Sequence, residues 1–278
     1  ATNSEGTATD SINLSWGCSI PNNPPEISEI TLMGDHYIGL EYTFSAAASD
    51  PDGDSLSYSW SVSGGSIASP NTNPVKWTMP GNAGNYSIKV TVDDGNGGQD
   101  EKTETVEVLA IPSVSLPQIH GGGYIVEGVV AGIQLEAIVG DLATNKPIRG
   151  FLSFDISSLA GKEVISAEMK FNNSLRKGDP YSLIEKIWVK SVRWGNDDIK
   201  LLHYDIMGYL LGEYDIPTFT CSGQGLVNKL NQAIAAGHDR FQIMLSHTGP
   251  PTDHDGMDDY IIYGGPQYPI EFNVSYLP

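Results

Sequence analysis

Apolar and polar residues alternate along three stretches between residues 24 and 110. In residues 56–62 the apolar side chains are separated by serines, and in residues 86–92 every second side chain is again aliphatic or aromatic. Val106 and Val108 end a third stretch of this kind. A period of two is typical of a strand with one buried face. Turn-forming sequences lie between the stretches, at residues 50–54, 64–65, 80–81 and 94–98. Strands separated by turns every ~8–12 residues predict an immunoglobulin-like β-sandwich.

Two segments of this block carry a family resemblance. Residues 48–61 read ASDPDGDSLSYSWS, and residues 84–98 read GNYSIKVTVDDGNGG. Both resemble the PKD-type domain of bacterial and archaeal surface proteins. The resemblance implies an extracellular spacer or adhesion module that has no catalytic activity of its own. It also implies that Trp60 is the buried tryptophan of the core.

Strand patterns continue through residues 118–278. Residues 151–156 are apolar on both faces at their start, residues 187–194 are rich in Val, Ile and Trp, and residues 241–245 and 270–276 resemble closing strands. One helix interrupts them, with an apolar face formed by Leu226, Leu230, Ala233 and Ile234. Many strands with one short helix predict a jelly-roll sandwich. The fold class predicted for the chain is therefore all-β, with two β-sandwiches in tandem.

Residues 139–169 carry a second resemblance. A polar loop is followed by Arg149-Gly-Phe-Leu-Ser-Phe-Asp-Ile-Ser-Ser-Leu159, and then by the segment Ile165-Ser-Ala167. This pattern resembles the disaggregatase-related (DNRLRE) group of jelly-roll modules. Some members of that broad group are carbohydrate-binding modules, so the resemblance implies a sugar-binding domain.

Proline-rich breaks divide the chain into four predicted segments. Pro21-Asn-Asn-Pro-Pro25 ends an N-terminal extended segment, and residues 110–117 contain two prolines and two serines that suit a stiff linker. Gly121-Gly-Gly123 follows as a flexible hinge. The segments are an N-terminal strand at 1–23, a PKD-like domain at 24–110, a linker at 111–123 and a jelly-roll at 124–278.

The N-terminal segment has its own strand pattern. Ile12, Leu14 and Trp16 alternate with polar residues. Such a strand can pair with a sheet edge in its own chain or in a neighbouring one, and repeated pairing between chains makes a homopolymeric fibre. Cys18 and Cys221 are the two cysteines. A disulfide between them, within one chain or between two, is favoured over two free thiols because secreted chains permit disulfides.

Charge narrows the choice of partners. The 278 residues include 34 acidic and 15 basic side chains, for a net charge of −19. This balance disfavours nucleic acid and anionic membranes as partners, because both attract Lys and Arg. No apolar run reaches the ~18 residues of a membrane-spanning helix, so direct membrane insertion is not expected. A secreted, cell-surface protein that binds cations fits this composition.

Two acidic segments are calcium candidates. Asp50, Asp52 and Asp54 share one turn, and Asp94 in a later loop completes the set if the fold brings it close. Ca²⁺ prefers six to eight oxygen ligands, which such turns supply. The alternative is a turn whose carboxylates bind its own backbone amides.

The second segment, residues 252–259, is the densest acidic cluster and contains the candidates Asp253, Asp255, Asp258 and Asp259, with Asp141 as a further ligand. The alternative there is a solvated loop.

Aromatic residues of the second domain are candidates for stacking on sugar rings. These residues are Trp188, Trp194, Tyr260, Tyr263 and Tyr268. Trp and Tyr also fill sandwich cores, and we expect Trp188 or Trp194 to be a core residue. The even spacing of these two tryptophans places them on one face of a regular strand.

Catalytic motifs are absent from the sequence: it has no Gly-x-Ser-x-Gly, no His-Glu-x-x-His and no phosphate-binding glycine loop. The main hypothesis is a non-enzymatic, extracellular structural or adhesive protein that assembles into filaments through its N-terminal strand. The alternative is a glycan-binding module that recognises a surface polysaccharide, with the PKD-like domain as a spacer. A third hypothesis is a fragment of a polysaccharide-degrading enzyme, since no particular pair of carboxylates is excluded.

Overall fold

A computed structural model describes residues 21–172, 174–181, 183–249 and 252–278. The chain divides into two compact units between Ala110 and Ile111. This position is the predicted start of the linker. Among the described residues, no helix is long and apolar enough to cross a membrane.

The described part of the first unit, from residue 21 onward, contains eight strands. They are β1 (Glu26–Thr31), β2 (His36–Tyr37), β3 (Glu41–Ser49), β4 (Ser57–Val62), β5 (Ser66–Ile67), β6 (Val75–Thr78), β7 (Gly84–Asp93) and β8 (Gln99–Leu109). One sheet has the order β1-β3-β6-β5, and the other has the order β2-β8-β7-β4. All pairs are antiparallel except β2 with β8.

The core of this unit follows from the period-two pattern. On β7, Ile88, Val90 and Val92 are fully buried, while the residues between them are only partly buried. Trp60 on β4 is 4% exposed and belongs to the same apolar cluster as Trp77 on β6. The predicted sandwich and its core tryptophan are therefore observed in the structure.

The second unit contains thirteen strands and one α-helix among the described residues. The strands are β9 (Ser113–Ser115), β10 (Gln118–Val126), β11 (Val129–Ile133), β12 (Glu136–Leu142), β13 (Lys146–Asp155), β14 (Glu163–Phe171), β15 (Leu175–Lys177), β16 (Ile187–Val192), β17 (Tyr209–Tyr214), β18 (Phe219–Ser222), β19 (Arg240–His247), β20 (Asp259–Gly264) and β21 (Glu271–Leu277). The helix is α1 (Gln224–Ala235), and short 3₁₀ turns occupy Ser157–Leu159 and Leu201–His203.

These strands form two sheets. The larger has the order β15-β20-β12-β13-β19-β16-β17, with β10 also paired to β13 and β11 paired to β10. The smaller has the order β18-β14-β21-β9. Buried residues of both sheets form one apolar cluster, in which Phe154 of β13 contacts Phe272 of β21 with their ring centroids 5.0 Å apart. The second unit is a β-sandwich, so the all-β prediction is confirmed.

The predicted helix is present as α1. Leu226 and Leu230 are almost fully buried in the main core, and Ala233 and Ile234 pack against it. Gly237 has φ +69° and lies just after the helix, where its amide donates to the carbonyl of Ile234. A glycine in this left-handed conformation is a common helix terminator.

The predicted linker at 111–123 is wrong, because most of it forms strands. Strand β9 pairs with β21, and β10 pairs with β13. The three glycines do not form a hinge. A Cβ at Gly122 would collide with the carbonyl of Phe151, and one at Gly123 would collide with the carbonyl of Gly132. Glycine is required here because neighbouring backbones approach closely.

The predicted disulfide between Cys18 and Cys221 stays a prediction, because only Cys221 lies among the described residues. Among those residues, Cys221 on β18 is a free thiol with no exposed surface, and it faces the main core. Burial raises the pKa of this thiol to about 11. Cys18 and the predicted assembly strand with Ile12, Leu14 and Trp16 lie outside the described residues. Assembly through that strand stays a prediction.

Candidate functional site

A groove of about 260 Å³ lies on the larger sheet of the second unit. We call it the Trp188 groove. Its lining includes Glu127, Arg149, Trp188, Lys190, Tyr204, Asp205, Ser246 and His247. Trp188 and Lys190 alternate on β16 with Ile187 and Val189, which are buried in the main core. The pleat of β16 therefore turns Trp188 and Lys190 to the opposite face, away from that core.

The indole of Trp188 is held in place on two sides. Its Nε1 donates a 2.7 Å hydrogen bond to Glu213 Oε2 on the adjacent strand β17. Lys190 Nζ lies 4.6 Å from the ring centroid, within cation–π range. The side chain remains partly exposed. A ring that is fixed before binding loses little freedom when a ligand contacts it.

Arg149 fixes the opposite wall of the groove. Its Nη1 donates to the carbonyl of Tyr204 and, over 3.1 Å, to Asp205 Oδ1. The guanidinium also lies 4.2 Å from the centroid of the Tyr204 ring. Arg149 extends from β13, whereas Tyr204 and Asp205 follow the second 3₁₀ turn. The groove thus combines elements that are distant in the chain.

Lys190 and His247 experience the positive charge of Arg149. Burial and Arg149 together lower the pKa of Lys190. No salt bridge of Lys190 occurs among the described residues. Burial, with a smaller contribution from Arg149, lowers the pKa of His247 to about 4, so this imidazole is neutral at pH 7. Its buried Nδ1 has no hydrogen-bond partner in the described part of the chain.

Two of the five candidate aromatics are core residues. Trp194 is 8% exposed and packs edge-on against Phe151, and Tyr263 has no exposed surface and packs against Phe171. Burial leaves neither ring face accessible to a sugar. Tyr260 and Tyr268 are partly exposed but lie outside the Trp188 groove. Of the predicted candidates, Trp188 alone lines this groove.

A larger cleft of about 520 Å³ lies beside α1. We call it the Tyr209 cleft, and its lining includes Arg193, Tyr209, Lys229, His238 and Arg240. Lys229 Nζ lies 4.5 Å from the centroid of the Tyr209 ring, and Tyr209 is 51% exposed. None of the sequence-predicted aromatics lines this cleft. It is the competing site for any ligand of the second domain.

The first acidic segment folds into a self-capped cluster. One carboxylate oxygen from each of Asp50, Asp54 and Asp94 lies within 4.8 Å of the others. Asp50 Oδ1 accepts hydrogen bonds from the amides of Asp52 and Asp54. Asp94 accepts from the amides of Asn96 and Gly98 and from the side chain of Asn22, and these bonds lower its pKa. Asp52 lies outside the cluster and instead accepts from Asn23.

The second acidic segment contributes two members of another cluster. Oxygens of Asp141, Asp253 and Asp259 lie within 4.8 Å of one another. Asp255 and Asp258 are not in this set. Asp258 instead forms an ion pair with Lys177, which lowers the pKa of the carboxyl, and Asp255 accepts from the amide of Met257.

Sequence analysis missed the basic residues of the groove. The position of Lys190 was predictable, because it lies two residues after Trp188 and so shares its face of the strand. No sequence pattern predicts the positions of Arg149 and His247, since they lie beside Trp188 only because β13, β19 and β16 pair with one another.

Comparison with known proteins supports the assignment of the first unit. A family model described as "K319L-like, PKD domain" matches residues 35–108. No curated protein matches the chain significantly.

Several solved structures show weak similarity. One is a nucleoside hydrolase-related hypothetical protein from Saccharophagus degradans associated with carbohydrate metabolism, at 26% identity over 32% of this chain and 26% of that one, with a TM-score of 0.25. Another is a carbohydrate-binding module of the β-sandwich superfamily, at 12% identity over 93% of this chain and 100% of that one, with a TM-score of 0.28. A SusE-like protein shows 11% identity over 91% and 97%, with a TM-score of 0.26.

TM-scores of this size do not establish a shared arrangement of the whole chain. The family match is of a different kind, because it covers most of the first unit and coincides with the motifs around Asp50 and Asp94. Residues 35–108 form a PKD-type domain, as the sequence predicts.

Proposed function

We propose that this chain is a non-catalytic extracellular protein whose second domain binds a glycan in the Trp188 groove. The PKD-type domain acts as a spacer. The observation that carries the proposal is the groove itself, where a partly exposed indole is fixed beside charged and polar side chains.

A sugar ring presents apolar C–H faces and a rim of hydroxyl groups. An aromatic ring suits the faces, and side chains that donate and accept hydrogen bonds suit the rim. The groove supplies donors from Arg149 and Lys190 and an acceptor from Asp205. His247 also borders the groove, and its imidazole is neutral at pH 7.

The Trp188 groove is favoured over the larger Tyr209 cleft because its side chains are fixed. Trp188 and Arg149 each make hydrogen bonds to neighbouring elements. The Tyr209 cleft is bordered by Met207, which is 91% exposed, and by the half-exposed Tyr209. Fixed groups give more affinity per contact, since less conformational freedom is lost on binding.

The test is a binding screen of the full chain against neutral and uronate-containing polysaccharides by affinity electrophoresis, followed by calorimetry on the best ligand. Trp188→Ala should weaken binding at least tenfold, because it removes the stacking surface; about 1.4 kcal/mol corresponds to that factor. Tyr209→Ala is the matched control, since it removes an exposed ring that Lys229 also approaches. It should bind as the unmodified chain does.

Three results would contradict the proposal. They are the absence of binding across the screen, unchanged binding by a folded Trp188→Ala variant, and loss of binding by Tyr209→Ala alone. The last result would assign the ligand to the Tyr209 cleft.

A further inference from the structure

We propose that Asp141, Asp253 and Asp259 form a calcium site in the second domain. This proposal is independent of glycan binding. Asp141 on β12 and Asp259 on β20 are directly opposite in the antiparallel register, and Asp253 reaches them from the loop before β20. Like charges at directly opposed positions destabilise a sheet, so this pairing requires a compensating group.

The two strand residues are buried. Asp141 has no exposed surface and Asp259 is 1% exposed. Neither oxygen of Asp141 has a hydrogen-bond partner among the described residues, and the same is true of Asp259 Oδ2. Asp259 Oδ1 accepts from the amide of Asp179. Buried carboxylates are normally paired or bound to a metal, so the unpartnered oxygens of Asp141 and Asp259 beside Asp253 indicate a cation.

No described basic side chain forms an ion pair with either of the two buried carboxylates. Lys177 is close by, but it pairs with Asp258 instead.

Burial and mutual repulsion raise the pKa values of the carboxyl groups in this cluster. Burial raises the pKa of Asp141 to about 6, and the charges of Asp253 and Asp259 add to the rise. The nearby backbone N–H of Asp253 partly opposes this rise. Burial also raises the pKa of Asp259.

Geometry and donor type favour calcium. All three donors are hard carboxylate oxygens, which disfavours zinc and copper. The three oxygens lie within 4.8 Å of one another, a spacing that one Ca²⁺ at ~2.3–2.6 Å from each oxygen can bridge. Mg²⁺ demands near-ideal octahedral geometry and gives up its waters reluctantly, so a cluster of protein carboxylates suits it less well.

The cluster at Asp50, Asp54 and Asp94 does not carry the same inference. Its buried member Asp94 already accepts three hydrogen bonds, two of them from backbone amides. Those donors satisfy the Asp94 carboxylate without a metal. Asp50 Oδ2 is also buried without a partner in the described structure, but Asp50 and Asp54 as residues are only partly buried, whereas two of the three carboxylates in the second cluster are fully buried.

The experiment measures thermal unfolding and calorimetric Ca²⁺ binding of the full chain, after treatment with EDTA, using CaCl₂, MgCl₂ and ZnCl₂ as probes. CaCl₂ should raise the midpoint of the second domain's transition, and MgCl₂ at the same concentration should raise it less. Asp141→Asn should abolish this response and should also raise the midpoint in EDTA, because it removes one buried charge. Asp253→Asn should weaken Ca²⁺ binding at least tenfold.

Asp54→Asn is the matched control and should keep the calcium response of the second domain. The proposal is overturned if CaCl₂ leaves that transition unchanged in the unmodified chain. It is also overturned if Asp54→Asn loses the response while Asp253→Asn keeps it. If Asp141→Asn fails to fold, the loop variant Asp253→Asn, at a partly exposed position, decides the question. Glycan binding by Trp188→Ala is a separate readout, so the two proposals can fail independently.

Discussion

His247 illustrates how a single residue of the groove affects the stability of the chain in acid. It ends β19, where it is partly buried and lines the groove together with Arg149. Burial and the guanidinium both oppose protonation, and they lower its pKa from 6.5 to about 4. Arg149 and Lys190 are the cations of the groove, whereas Glu127 and Asp205 are its carboxylates. The carboxylates do not reverse the shift.

The lowered pKa predicts a loss of stability in acid. Above pH 6.5 the imidazole is neutral in the native and unfolded chains and has no effect. Between pH 6.5 and about 4 the unfolded chain takes up a proton that the native chain does not. The free energy of unfolding should therefore fall as the pH falls, by about 3 kcal/mol at pH 4 from this residue.

The measurement is urea unfolding in EDTA at pH 7 and pH 4.5 for the unmodified chain and for His247→Gln. The variant should lose about 2–3 kcal/mol less stability over that interval. His120→Gln is the control, since His120 is exposed. Equal acid sensitivity of all three proteins would show that His247 is not protected from protonation.

At the scale of elements, β10 shows why glycines occur in succession inside a strand. Gly122 lies against the backbone of β13, and Gly123 lies against that of β11. No side chain fits between these strands. The conformation of Gly122 is accessible to other residues, so its requirement is spatial, whereas Gly123 also has φ +135°.

Gly122→Ala should therefore destabilise the second domain by about 1–3 kcal/mol, the range of an overpacked core. Gly225→Ala is the control, because Gly225 lies in the first turn of α1 and its added methyl would meet only the Tyr209 ring at van der Waals distance. That change should be neutral or stabilising, since alanine favours a helix. Denaturant unfolding measures both, and equal effects would contradict the spatial requirement.

The sequence predicts elements where one chemical pattern suffices. Alternation on β4 and β7 defines a buried face, and the spacing of Leu226 and Leu230 defines α1. It does not predict β10, because the segment at 120–123 has no apolar alternation and its glycines also fit a hinge. Strands that depend on backbone contact carry no side-chain pattern.

For the candidate sites, too, the sequence predicts some residues, whereas others depend on how the strands pair. Acidic residues near one another in the chain were readily identified, but only the pairing of β12 with β20 shows that Asp141 and Asp259 are opposite. Asp255 and Asp258 are as acidic, yet their loop positions turn them towards Met257 and Lys177. Pattern alone also cannot decide which of Trp188 and Trp194 is buried, since their even spacing predicts one face for both, whereas β16 ends at Val192, before Trp194.

At the scale of the whole molecule, the chain has a sharp division between residues 110 and 111. Strand β9 begins almost at once, at Ser113, and pairs with β21. Leu116 follows it, is 2% exposed, and belongs to the main core of the second domain. The second domain therefore starts at residue 111, and its first strands close the smaller sheet and extend the larger one.

This boundary predicts the behaviour of two fragments. Residues 111–278 should fold alone and unfold in one cooperative transition, because they keep both sheets and the whole apolar cluster. Residues 124–278, the domain predicted from sequence, should unfold at a much lower temperature or aggregate. That fragment lacks β9, Leu116 and most of β10, so it exposes the edges of β21 and β13 to pairing with other chains.

Circular dichroism on heating and light scattering distinguish the stability of the two fragments. Leu116→Ala in the longer fragment should give an intermediate stability. Equal stability of both fragments would mean that residues 111–123 act as a linker after all, and that their pairing with β13 and β21 contributes little to the fold.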